Sequence, residues 1–140
     1  MKATELRIGN FVLLDNPMHR PSESGEIHKV VGISEKSAHI MRINDNLMED
    51  YYGQFYKFIK PIPLTEDWLL NFGFVKKEIG YSKLTEMEQC FLISFGKHTS
   101  VNGIKFNNEI KYVHQLQNIY FSLTGEELTQ VSEVENKNFL

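Results

Sequence analysis

The chain has 140 residues, 41% of them apolar and 24% charged, with a formal net charge of −3. That is enough apolar material for one domain-sized core, or for two very small units sharing one. The acidic balance argues against a protein whose main task is to grip a phosphate backbone, and no apolar run approaches the roughly 20 residues that cross a bilayer.

Cys90 is the only cysteine. No internal disulfide can form, and a thiolate metal site built within one chain is excluded, so a reducing, cytoplasmic setting is the default expectation. Residues Met1 to Arg7 lack the apolar core of a signal peptide.

In chain order, Ile8-Gly9-Asn10 reads as a turn before a compact apolar strand, Phe11 to Leu14. Asp15 to Ser24, with two prolines, Asn16 and two serines, reads as an exposed loop. Gly25 to Ile33 alternates, with Ile27, Lys29, Val31 and Ile33 on one face and Glu26, His28 and Val30 on the other. Ala38 to Ile43 is its hairpin partner across Ser34 to Ser37, and Gln54 to Lys60 is the closing strand. So many short strands in so little chain favour a tight, bent barrel, because closure removes exposed edges. Gly9, Gly25, Val30, Gly32 and their spacing resemble small barrels of the Src-homology-3 and ribosomal KOW kind.

Pro61 to Phe74 is a complete helix signal. Two prolines hold the entry extended. Thr65 is a good N-cap, and Glu66 and Asp67 complement the helix dipole. Leu64 and Leu69 stand at hydrophobic-staple positions. Trp68, Leu69 and Phe72 share a face, and Gly73 ends the helix. Phe74 to Ile79 and Gly103 to Phe106 read as strands, and Gln89 to Phe95 as a buried central one that would make Cys90 a small buried hydrophobe. Val113, Leu116, Tyr120 and Leu123 form one stripe of a second helix ended by Gly125. Thr124 and Glu127 have capping-box spacing, so a last turn is expected there. Gln115, Gln117 and Asn118 read as a solvated amide face.

The expected fold is therefore α+β: a small β-barrel of Src-homology-3-like form over 1–60, an antiparallel strand-and-helix unit with two main helices over 61–128, both in one compact domain, and a flexible tail over 129–140.

Catalytic signatures are missing. No two histidines have helical zinc spacing, although His28 and His39 could face each other across the hairpin. There is no Gly-x-Ser-x-Gly elbow and no phosphate-cradling glycine loop. No metal, cofactor or catalytic residue is expected. The suggestive feature is aromatic: Tyr51, Tyr52, Phe55, Tyr56 and Phe58 lie within eight residues, more than one strand face buries. They either pack beneath the Trp68 helix or form a groove for a peptide or a stacked base.

The segments Leu6 to Val12, Pro61 to Phe74 and Val113 to Leu128 resemble a group of short uncharacterised proteins from bacterial genomes, prophages and phages. The resemblance implies a small accessory protein that binds something rather than turning it over. The leading expectation is a non-enzymatic interaction module for a host or phage protein, with Tyr51, Tyr52, Phe55 and Tyr56 as its contact surface. Nucleic-acid or nucleotide binding by the barrel would need Arg7, Lys29, Lys36, Arg42, Lys57 and Lys60 to converge. An enzyme would need a deep pocket with perturbed titratable groups. A homo-oligomer could form through a sheet edge or the helix carrying Tyr120.

Overall fold

The computed structural model describes residues 1–43, 52–95 and 98–130. It is a mixed α+β chain with two antiparallel five-stranded sheets and one main helix. It divides into two compact units: Met1–Pro63 with Tyr112–Asn118, and Leu64–Lys111 with Ile119–Leu140.

In the first unit, a single 3-10 turn at Ala3–Glu5 precedes β1 (Phe11–Leu14), β2 (Ile27–Ile33), β3 (Ser37–Arg42), β4 (Tyr52–Phe55) and β5 (Ile59–Lys60). The strand order β4-β3-β2-β1-β5 makes a curled half-barrel. Gly9, at φ +102°, turns the chain into β1, a conformation that costs glycine little. A bulge between Val30 and Gly32 shifts the β2–β3 register, and bulges of this kind sharpen local twist. Inside the curl, Leu6, Val12, Leu14, Val30, Ala38, Ile40, Tyr56 and Ile59 are buried together.

The pairing register departs from the expected hairpin in one respect. His28 stands opposite Arg42 and His39 opposite Gly32, so the two histidines do not meet. The buried face of β2 is the one carrying His28 and Val30, while Ile33 is exposed.

The closing segment differs too. Rather than one strand, β4 gives way to a 3-10 turn, Tyr56–Phe58, before β5. The turn redirects the chain so that β5 reaches β1, pairing Leu14 with Ile59 and Leu13 with Lys60.

That pairing is short, and among the described residues it leaves 9–11 without a strand neighbour on that side. The gap is filled from the far end of the chain. Gln117 lies on α2 (Val113–Thr124). Its side-chain carbonyl accepts the Phe11 N–H at 2.9 Å, and its side-chain N–H donates to the Gly9 carbonyl at 3.1 Å. Asn10 donates to Asn118 at 2.7 Å, and Asn118 donates to the Glu5 carbonyl at 3.2 Å. The amides expected on a solvated face instead bind backbone, and Gln117 is 1% exposed. Buried backbone polar groups need partners, and an amide side chain offers both halves of a peptide group.

The second unit opens with α1 (Glu66–Asn71). Thr65 caps it by accepting the Trp68 N–H at 3.4 Å. Gly73, at φ +89°, ends it. The Phe74 N–H then reaches the Leu69 carbonyl and the Gly73 N–H the Leu70 carbonyl, the paired bonds of a Schellman motif. Six residues make little more than one turn and a half, so among the described residues there is one main helix where the sequence pattern suggested two.

Next come β6 (Val75–Lys77), β7 (Gly80–Leu84), β8 (Cys90–Ser94), β9 (Ser100–Val101) and β10 (Ile104–Lys105), in the order β10-β9-β8-β7-β6. β8 is central, as expected, but only alternate residues are covered. Phe91 and Ile93 are buried and Cys90 is exposed. The cysteine is therefore not the small buried hydrophobe anticipated. Phe74, Phe91 and Tyr120 pack edge to face, with Phe91 and Tyr120 centroids 4.9 Å apart.

Gly125 ends α2 at φ +74°. The turn expected at Glu126 to Leu128 does not form. The Thr124 hydroxyl does accept the Glu126 N–H at 3.1 Å while donating to the Tyr120 carbonyl, but residues 126–130 carry no helical turn.

Replacing Gln117 by Leu keeps the helix and the volume but orphans the Phe11 N–H and the Gly9 carbonyl. The expected cost is about 3 kcal/mol of unfolding free energy, read as a lower urea midpoint at unchanged slope.

Candidate functional site

The aromatic segment is divided by the strand's alternation. Tyr52 is half-buried against the half-barrel core, and Tyr56 is buried in it. The Tyr56 hydroxyl donates to the Ser34 carbonyl, and burial raises its pKa above the ordinary phenol value. Phe58 also packs against this core. Phe55 points outward and is 58% exposed, opposite Ser37 on the outer strand β4. Tyr51 lies outside the described residues.

Behind Tyr52 is a polar cluster that sequence reasoning missed. Its hydroxyl donates to Glu23 at 2.8 Å. The same carboxylate meets Arg42 Nε at 3.3 Å and Arg20 Nη1 at 3.4 Å, and the Arg20 guanidinium lies 3.8 Å from the centre of the Tyr52 ring. Glu26 accepts a second contact from Arg42, at 3.5 Å. Nearby, Asn16 donates to Gln54 at 3.0 Å, and the Asn16 N–H reaches Ser24 Oγ at 2.9 Å. These contacts tie the long β1–β2 loop to β3 and β4. The signal was present as buried-type pairing potential, two arginines and two glutamates, but only the folded register brings residues 20, 23, 42 and 52 together.

His28 sits at the inner end of this cluster, fully buried. Its Nδ1 is 2.9 Å from the Glu26 carbonyl, so that nitrogen carries the proton. Nε2 faces the Tyr52 hydroxyl at 3.1 Å. Tyr52 has one proton for two acceptors, and the nearer, charged one is Glu23. Burial pushes the His28 pKa below its ordinary 6.5, against the pull of Glu23 and Glu26. Burial and the Glu23 carboxylate push the Tyr52 phenol well above its ordinary range.

Of the six basic residues that nucleic-acid binding would recruit, Arg42 is engaged by Glu23 and Glu26, and the Lys57 ammonium lies 4.9 Å from the Phe58 ring centre. Among the described residues, no cluster of three or more His, Cys, Asp or Glu has metal-binding geometry, and no helix is long and apolar enough to cross a membrane.

The second unit carries a cleft of about 760 Å3. Leu64, Leu69, Phe95 and Ile110 supply apolar walls, and Ile79 and Lys77 stand at the β6–β7 end. Tyr81 donates to Glu66 at 3.0 Å, Lys76 meets the same oxygen at 3.2 Å, and the Tyr81 and Phe95 rings meet edge to face at 6.1 Å. The Tyr81 and Lys76 hydrogen bonds hold the Glu66 carboxyl below its ordinary pKa. Gly80, at φ +151°, lines the cleft where any Cβ would collide with the Ile93 carbonyl.

No protein-family model, no curated protein and no solved structure matches the chain.

A histidine whose folded pKa is depressed stabilises the fold above its unfolded pKa and loses that contribution as pH falls. Burial depresses both His28 and His114, so unfolding free energy should drop from about pH 6.5 downward. His28→Gln should flatten that slope in urea titrations at pH 7.5 and 5.5. Separately, Tyr52→Phe leaves Glu23 short of a donor and should cost about 2 kcal/mol by thermal or urea unfolding.

Proposed function

We infer that the chain is a non-enzymatic interaction module that docks a partner protein through the first unit, with Phe55 as the central contact. The observation that carries this reading is the exposure of Phe55 on an outer strand while its neighbours Gln54 and Tyr56 are buried and hydrogen-bonded. A large aromatic held outward on a rigid, well-anchored strand is the kind of residue that dominates interface energetics. Tyr52 and Tyr56 serve beneath it as supports, and Tyr51 precedes the same strand.

A Src-homology-3-type reading of the half-barrel is supported by its order β4-β3-β2-β1-β5, the long β1–β2 loop and the 3-10 turn before β5. The accessory-protein role in a phage or mobile element rests on the sequence resemblance, and the cytoplasm of the bacterial host is the proposed setting. The polar cluster of Glu23, His28 and Tyr52 fits this reading as a structural clasp. Two arginines occupy its carboxylate, and Glu23 is 8% exposed.

Cross-linking capture from bacterial lysate, run in parallel on the parent chain, Phe55→Glu and Met87→Glu, tests the assignment. Both side chains are exposed, so melting temperature should hold. A partner recovered with the parent and Met87→Glu but lost with Phe55→Glu is the expected result. Identical recovery by all three would remove Phe55 from the interface.

A further inference from the structure

The geometry points to a second binding surface, on the second unit, that receives an extended segment of a partner protein as an added strand on β6, with an apolar side chain in the adjoining cleft and a carboxylate against Lys77. Among the described residues β6 pairs on one side only, with β7. A row of backbone N–H and C=O groups therefore faces outward, and such an edge is a template for another strand.

Edge lysines commonly deter that pairing. Here the deterrent is partly withdrawn. Lys76 is drawn to Glu66 at 3.2 Å, and Val75 leaves an exposed apolar side chain on the edge. Lys77 has no ion-pair partner among the described residues, and Glu78 lies beyond the strand, in the turn to Gly80. Within the strand itself, the charge left without an ion-pair partner is thus that of Lys77, which favours an acidic residue on the partner segment beside it.

The cleft begins at this same strand and the turn after it, lined by Lys76, Lys77, Glu78 and Ile79. In an added strand every second side chain turns to one face. A large apolar residue there meets Leu69, Ile79 and Phe95, and Ile79 is 70% exposed without such a cover. Main-chain bonding would supply affinity, and the cleft and Lys77 would supply selectivity.

The test is selection from a displayed library of random dodecapeptides on the full chain. Enriched peptides should share a large apolar residue beside acidic residues. N-methylation at alternate positions of such a peptide should abolish binding. Ile79→Asp and Lys77→Glu, both at exposed positions, should each weaken it by about tenfold or more. Phe55→Glu should bind the peptide as the parent does, which separates this surface from the one on the first unit. No enrichment, enrichment without acidic residues, or indifference to N-methylation or to both substitutions would overturn the proposal.

Discussion

The first unit depends on one side chain acting as backbone. β5 is two residues long, so on that flank β1 has a strand neighbour beside Leu13 and Leu14 but, among the described residues, none beside Gly9 to Phe11. Gln117 presents a carbonyl and an N–H with the spacing of a peptide group and completes the ladder. On the other side, the Gly9 N–H bonds the Val30 carbonyl, and the Val30 N–H bonds the Asn10 carbonyl. The start of β1 is thereby paired on both flanks, which is what keeps Val12 and Leu14 directed into the core. A charged or apolar residue at 117 satisfies at most one half of that demand.

The same unit solves a second problem with charge. The β1–β2 loop is long, and ordering it costs conformational entropy. Its anchor is Glu23, shared by Arg20, Arg42 and Tyr52. A buried carboxylate is tolerable because each approach to it is a donor or a cation. This use of Tyr52 also bears on how the aromatic segment is apportioned: Tyr56 is buried in the core, Tyr52 is half-buried in core and clasp, and Phe55 is the exposed one of the described candidates.

Local rules were legible before the fold was known. Thr65, Gly73 and Gly125 each mark a helix boundary where the structure has one, because capping depends on a few adjacent residues. The β2–β3 hairpin was equally readable from alternation. What escaped depends on distant partners. The role of Gln117 needs Gly9 and Phe11, more than a hundred positions away, and an amide at a helix surface carries no mark of such a partner. Cys90 was misplaced because a continuous apolar run does not say whether one sheet face or both will be covered. β7 was unread because Gly80 and Ser82 disguise it, and the 3-10 turn at Tyr56 was hidden inside a run of strand-favouring aromatics.

The order in which these parts leave the ribosome has its own consequence. All five strands of the half-barrel are complete once Lys60 is made, but the residue that fills its gap is Gln117. At about 5–20 residues per second, synthesis takes roughly 3 to 12 s to cover that distance. Throughout that interval the nascent sheet carries an open flank at Gly9 to Phe11. The chain must therefore either delay sheet formation or pass through a state with an unpaired edge, the condition that holding chaperones recognise and that nascent-chain aggregation exploits.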